Sequence, residues 1–142
     1  MIVSAPFTHL FVYGTLMPDA CGELGLAERA RLAVEADLLG PATTTGLLLD
    51  LGDYPGLIDG PGVVHGIVYA LRNPAATLAW LDAYEDVRGT SQDLYRRDER
   101  PVTLETGTSI SAWTYVSIQP MIERAVIGSG RWYLRSPNHA AT

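Results

Sequence analysis

Glu85 stands where an acidic side chain has reason to do chemistry. The segment "NPAATLAWLDAYEDV", residues 73–87, reads as a helix, with Asn73 suited to cap it and Pro74 to its first turn. Wound at about 100° per residue from Ala75, Leu78 and Leu81 mark the apolar stripe and Glu85 falls between them. Asp82 and Asp86 lie roughly 60° and 100° further round, on a border expected to be solvated. Two readings follow. A helix that frays near Val87 leaves Glu85 in water, at an end whose dipole disfavours an acid. A helix that holds puts a carboxylate in an apolar setting, where desolvation raises its pKa toward neutrality and fits it to carry protons.

The second feature is "HLFVYGTLMPD", residues 9–19, where an apolar run ends in Tyr13-Gly14-Thr15-Leu16. None of these side chains is a nucleophile or a metal ligand. A glycine turn after a strand either just reverses the chain or presents successive backbone N–H groups to one point, where an oxyanion or a carboxylate is favoured. In the second case Gly14 admits the ligand to the main chain, and Tyr13 and Leu16 wall the cavity.

Composition removes other chemistries. All ten basic residues are Arg, so a Schiff-base lysine and a Walker-type phosphate loop are excluded. A net charge of -6 argues against nonspecific nucleic-acid binding. The lone Cys21 builds no intrachain disulfide framework. His9, His65 and His139 are scattered without ligand spacing, so no metal and no cofactor are expected. The N-terminus lacks a signal-peptide pattern, and no run approaches a membrane helix. A cytoplasmic protein without a membrane partner is expected, of unspecified oligomeric state.

The elements that must position Glu85 and the turn form an α+β pattern. The chain of 142 residues is expected to be one domain, its ordered core about residues 7–135. "HLFVY" reads as a first strand. "GELGLAERARLAVEA" reads as a helix with Leu24, Ala27, Arg31 and Val34 near one face. "TTTGLLLDL" and "VVHGIVYAL" read as strands, and "GDYPGLIDGPG" between them as turn-rich. "LYRRDERPVTLET" and "TSISAWTYVSI" predict a hairpin, and "IERAV" a helical turn. Trp80 and Tyr84 face away from Glu85 and are expected to pack on another element. Arg96, Arg97 and Arg100, mixed with Asp98 and Glu99, read as a solvated face. Trp113 and Trp132 are expected in the core, and Arg131 at the surface. Asp53-Tyr54-Pro55-Gly56 reads as a turn first and a pocket rim second. Many strands with few, irregularly spaced helices argue for a curved sheet or small barrel.

"FVYGTL", "YPGL", "VHGIVYAL" leading into "LDAYE", then "LYRR" and "AWTYV", in this order and spacing, resemble the gamma-glutamylcyclotransferase-like family from about Leu10 to Trp132. The resemblance implies a mixed small β-barrel with flanking helices and a cavity at the strand ends. It implies that Tyr13, Gly14, Thr15 and Leu16 bind the glutamyl part of a small-molecule substrate and that Glu85 is the general acid/base. It implies that Tyr95 and Tyr115 line the pocket. The reaction implied is release of 5-oxoproline and a free amine from a gamma-glutamyl amide. Human-type members carry Ser-Asn after the glycine; Thr15-Leu16 here resembles the bacterial and gamma-glutamylamine branch. The alternative is a noncatalytic small-molecule binding protein on the same scaffold.

Overall fold

The computed structural model describes residues 8–18, 20, 25–52, 54–118 and 125–132. The elements are β1 (Thr8–Val12), α1 (Leu26–Glu35), β2 (Ala36–Asp50), β3 (Pro55–Leu71), α2 (Pro74–Tyr84), β4 (Tyr95–Leu104), β5 (Ser109–Ser117) and the short β6 (Ala125–Val126). Cys21, Asp53, Leu24 and His139 lie outside the described residues.

Five strands close on themselves. β1 pairs antiparallel with β3, β3 with β2, β2 with β4 and β4 with β5, and β5 returns to β1 in parallel at Leu10↔Trp113. β6 adds to the end of β2 at Leu49↔Val126. Closure leaves a barrel whose inward positions follow the period-two pleat: Ala42, Thr44, Gly46 and Leu48 on β2, and Ala112, Thr114 and Val116 on β5, are all buried. The buried hydroxyls are satisfied, Thr44 Oγ1 donating to Pro101 O at 2.8 Å and Thr114 Oγ1 to Ala112 O at 3.2 Å. β2 breaks register between Leu38 and Gly40 and again between Thr45 and Leu47, two bulges that bend it around the barrel.

α2 forms where the sequence predicts it. Asn73 accepts from Ala76 N, and Pro74 occupies the first turn. The β4–β5 hairpin runs in register from Tyr95↔Ser117 to Thr103↔Ser109, also as predicted. Three expectations are corrected. Residues 55–62 are strand rather than turn, because Leu57 and Ile58 find partners in Leu48 and Leu47 across the hairpin and pairing overrides local turn preference. Ala125–Val126 belongs to a strand, not a helical turn. On α1 the inward residue is Leu32, while Val34 is 73% exposed. That helix is anchored through Glu35, which accepts from Thr77 Oγ1 at 2.8 Å and Trp80 Nε1 at 2.9 Å on α2. The anchor selects the face of Leu32 and Glu35, three residues apart, over the stripe read from composition. Trp80 and the neighbouring Arg31, whose guanidinium stands 4.6 Å from the indole ring, complete the α1–α2 contact. Among the described residues no helix is long and apolar enough to cross a membrane.

β1 runs so close to β3 that Gly66 has no room for a side chain: a Cβ there would clash with Val12 O and lie 2.7 Å from the Phe11 ring. Gly66→Ala is expected to push β1 off β3 and to destabilise the protein by about 1–3 kcal/mol. Urea denaturation measures this; an unchanged midpoint would contradict the close approach.

Candidate active site

β1 carries the chain into the turn at one end of the barrel. Met17 N donates to Gly14 O at 3.0 Å and closes the bend. The amides of Gly14, Thr15 and Leu16 donate to no protein acceptor among the described residues. The turn is nevertheless held on every side. Tyr13 Oη donates to Tyr115 O at 2.5 Å and accepts from Leu57 N at 3.1 Å. Thr15 O accepts from Arg29 Nη1 at 2.9 Å, and Thr15 Oγ1 shares a 2.9 Å hydrogen bond with Tyr84 Oη. Gly14 lies against the Pro55 ring, where a Cβ would approach to 2.7 Å. Its lack of a side chain therefore lets the turn pack on β3.

Opposite the turn stands the end of α2. Val87 N donates to Asp82 O at 2.8 Å and Asp86 N to Ala83 O at 3.2 Å, with Asp86 in the left-handed region at φ 59. This pair of bonds is the Schellman arrangement, and it fixes Glu85 as the C-cap. The helix does not fray before Glu85. The connection onward to β4 is ordered by buried Asp93, whose carboxylate accepts from the amides of Arg88, Gly89 and Thr90.

Glu85, Tyr13, Gly14, Thr15, Leu16, Tyr95 and Tyr115 line one narrow cleft, together with Phe11, Val12, Tyr54 and Pro55, with a cavity volume of about 40 Å³. The seven residues singled out from the sequence are thus brought together. The cleft continues outward past Glu85 into a vestibule walled by Tyr54, Tyr84, Leu94 and Tyr95. Burial, and then the negative charge of Asp82, raise the Glu85 pKa to about 8. Its carboxylate makes no hydrogen bond or ion pair among the described residues.

Asp82 and Arg97 are not on the solvated surface that their pattern suggested. Arg97 clasps both Asp82 oxygens, Nε to Oδ1 at 2.8 Å and Nη2 to Oδ2 at 3.1 Å, and lies 4.5 Å from the Trp113 ring. Tyr115 Oη donates to Asp82 Oδ1 at 2.6 Å. The signal for this cluster was the hairpin register, which sets Arg97 directly opposite Tyr115. Trp113 is accordingly half-buried under Arg97, while Trp132 is buried as expected. Arg131 is half-buried and lines a separate groove with His65, Thr43 and Thr103. Among the described residues no group of three or more His, Cys, Asp or Glu is placed to hold a metal.

The sequence profile of the gamma-glutamyl cyclotransferase, AIG2-like family matches residues 10–134. The chain belongs to the gamma-glutamylcyclotransferase family. A relative from Vibrio cholerae named for the gamma-glutamylcyclotransferases is 38% identical over 130 residues, covering 89% of this chain and 97% of its own. The gamma-glutamylcyclotransferase family protein YtfP of Escherichia coli K12 is 36% identical over 125 residues, 87% of this chain and 95% of its own. The solution structure of E. coli YtfP superposes with a TM-score of 0.61 at 35% identity, over 90% of this chain and 98% of that one. A mouse AIG2-like protein shares the fold, with a TM-score of 0.65 at 24% identity, over 92% of this chain and 84% of its own. The family's barrel with flanking helices is therefore the fold of this chain, and its cleft opens between the first strand's turn and the end of α2.

The raised Glu85 pKa has a consequence for stability. Below the ordinary carboxylate value of 4.5 the group is protonated both folded and unfolded; above it only the unfolded chain ionises freely, and the folded chain follows at about 8. Stability is therefore full at acid pH and falls as pH rises toward 8. Glu85→Gln, which cannot ionise, is expected to match the wild type near pH 5 and exceed it near pH 9 by about 2–4 kcal/mol. Denaturant titrations at the two pH values check this; equal stability at both would mean that Glu85 ionises without cost.

Proposed function

We propose that the protein cleaves a gamma-glutamyl amide by intramolecular acyl transfer, releasing 5-oxoproline and a free amine. The observation that carries this reading is one unpaired, half-buried carboxylate, Glu85, sharing a cleft with three uncommitted amides at Gly14, Thr15 and Leu16. The substrate contains its own nucleophile. Its α-amino nitrogen attacks the γ-carbonyl carbon, a C–N bond forms, and the carbonyl oxygen becomes an oxyanion. Amides of the turn receive the substrate's oxygens, a preorganised donor array for the negative charge that develops there. Glu85 takes the proton from the attacking nitrogen and delivers it to the departing nitrogen, the amide C–N bond breaks, and the carboxylate is regenerated.

Such a reaction asks little of the protein beyond folding the substrate into a near-attack shape, a contribution of about 7–11 kcal/mol in favourable cases. That economy agrees with a cleft whose walls are phenols and apolar side chains. The vestibule beyond Glu85 offers room for the amine half, so that the scissile bond lies beside the carboxylate. Within the family the Thr15-Leu16 pair supports a gamma-glutamylamine as substrate, acted on in the cytoplasm without metal or cofactor.

The test is 5-oxoproline release from a panel of gamma-glutamyl amines by the purified protein. Glu85→Gln is expected to keep the fold, read by circular dichroism, and to lose about 10²–10⁴-fold in turnover. Because the carboxylate form accepts the proton, the wild-type kcat/KM is expected to fall as pH drops, on an acid limb near the Glu85 pKa of about 8. Near-normal turnover by the Gln variant would overturn the assignment.

A further inference from the structure

The phenol protons of Tyr13, Tyr95 and Tyr115, three of the four tyrosines that line the cleft, are already committed to the protein. Tyr13 Oη donates to Tyr115 O and Tyr95 Oη to Pro55 O at 2.6 Å, both carbonyls that can only accept. Tyr115 Oη donates to Asp82 Oδ1, a carboxylate held by the Arg97 fork. Tyr13 Oη also accepts from Leu57 N, which leaves it little further capacity. Toward a ligand, Tyr115 and Tyr95 therefore present only lone pairs, and Glu85 presents a carboxylate. The uncommitted donors among the lining residues are the main-chain N–H groups of Gly14, Thr15 and Leu16 and the hydroxyl of Tyr54, which precedes the Pro55 that Gly14 packs against. The site thus has a direction, accepting on the α2 side and donating on the β1 side. An α-amino acid head, with an amine and oxygens at its two sides, fits in one sense.

We infer that Tyr115 accepts a hydrogen bond from the substrate's α-amino nitrogen, and that Asp82, clasped by Arg97, is the positioning residue that keeps the phenol turned as an acceptor. The inference rests on the gamma-glutamyl reading and adds to it the residue that orients the nucleophile. Tyr115 is chosen over Tyr95 on two grounds. It lines the inner cleft alone, whereas Tyr95 also faces the vestibule. Donation to a charged carboxylate also makes the phenol oxygen the stronger acceptor. The Tyr115 hydroxyl lies within the electrostatic reach of Asp82, then of the Arg97 that pairs with it, then of Glu85. Burial, then the Asp82 hydrogen bond, holds that phenol in its protonated form.

The product retains the nitrogen as a ring N–H, which supplies an unreactive probe. 5-Oxoproline is compared with 5-oxotetrahydrofuran-2-carboxylate, the lactone in which oxygen replaces that N–H, as inhibitors of 5-oxoproline release from a gamma-glutamyl amine. Wild type is expected to prefer the lactam by about tenfold or more. Tyr115→Phe is expected to bring the preference close to unity with the lactone constant little changed. Asp82→Asn, in which the phenol loses its charged acceptor, is expected to reduce the preference in the same way. A merely structural loss would weaken both rings together and leave their ratio intact. A wild type that turns over substrate but does not distinguish the rings, or variants that keep the ratio, would overturn this inference alone. A wild type that neither turns over substrate nor binds either ring would overturn the functional reading and this inference with it.

Discussion

A half-buried carboxylate partly stripped of water and without a counter-ion is disfavoured, and the architecture around Glu85 is organised about that constraint. The side chain sits at the C-cap of α2, where the helix dipole adds to the penalty. Asp82, one turn earlier, contributes further negative charge. Arg97 is near enough to pair with Asp82 but is bound to it through both nitrogens, so it does not relieve Glu85. The carboxyl is left raised toward neutral pH by its surroundings, the condition for a group that must both take and return a proton.

Rigid elements hold that position from several directions. The closed barrel fixes β1, and therefore the turn that follows it. Tyr13 ties the turn to the backbones of β5 and β3 through one hydroxyl. On the other side α2 is ended abruptly by its Schellman pair and braced by α1 through Glu35, whose carboxylate is held at about pKa 2 chiefly by Trp80, then by Arg31 and Thr77. Tyr84 and Arg29 join the two helices to Thr15. Glu85 and the amides of the turn thus belong to different elements but to one bonded framework, as a near-attack geometry would require.

Much of this was legible in the chain. Asn73-Pro74 and the Leu78–Leu81 spacing located α2 and put Glu85 on its inner stripe, since helix periodicity and capping are local. The Tyr13–Leu16 turn and the β4–β5 hairpin were legible for the same reason. What was hidden depends on partners distant in sequence. The Asp82–Arg97–Tyr115 cluster needs the hairpin register and the docking of α2 on it, so Asp82 and Arg97 looked like surface charges. Leu57 and Ile58 lie among turn-forming residues and become strand only when β2 is present. Val34 looked buried on α1 because an Ala- and Arg-rich helix offers several faint stripes, and the Glu35 anchor on α2 chooses among them.

The most direct test of the account is a titration of Glu85 itself, followed through the side-chain carboxyl carbon by ¹³C NMR and assigned with Glu85→Gln. A midpoint near pH 8 is expected, with a change in that resonance when 5-oxoproline binds. A midpoint at the ordinary glutamate value near 4.5, unaffected by the ligand, would contradict it.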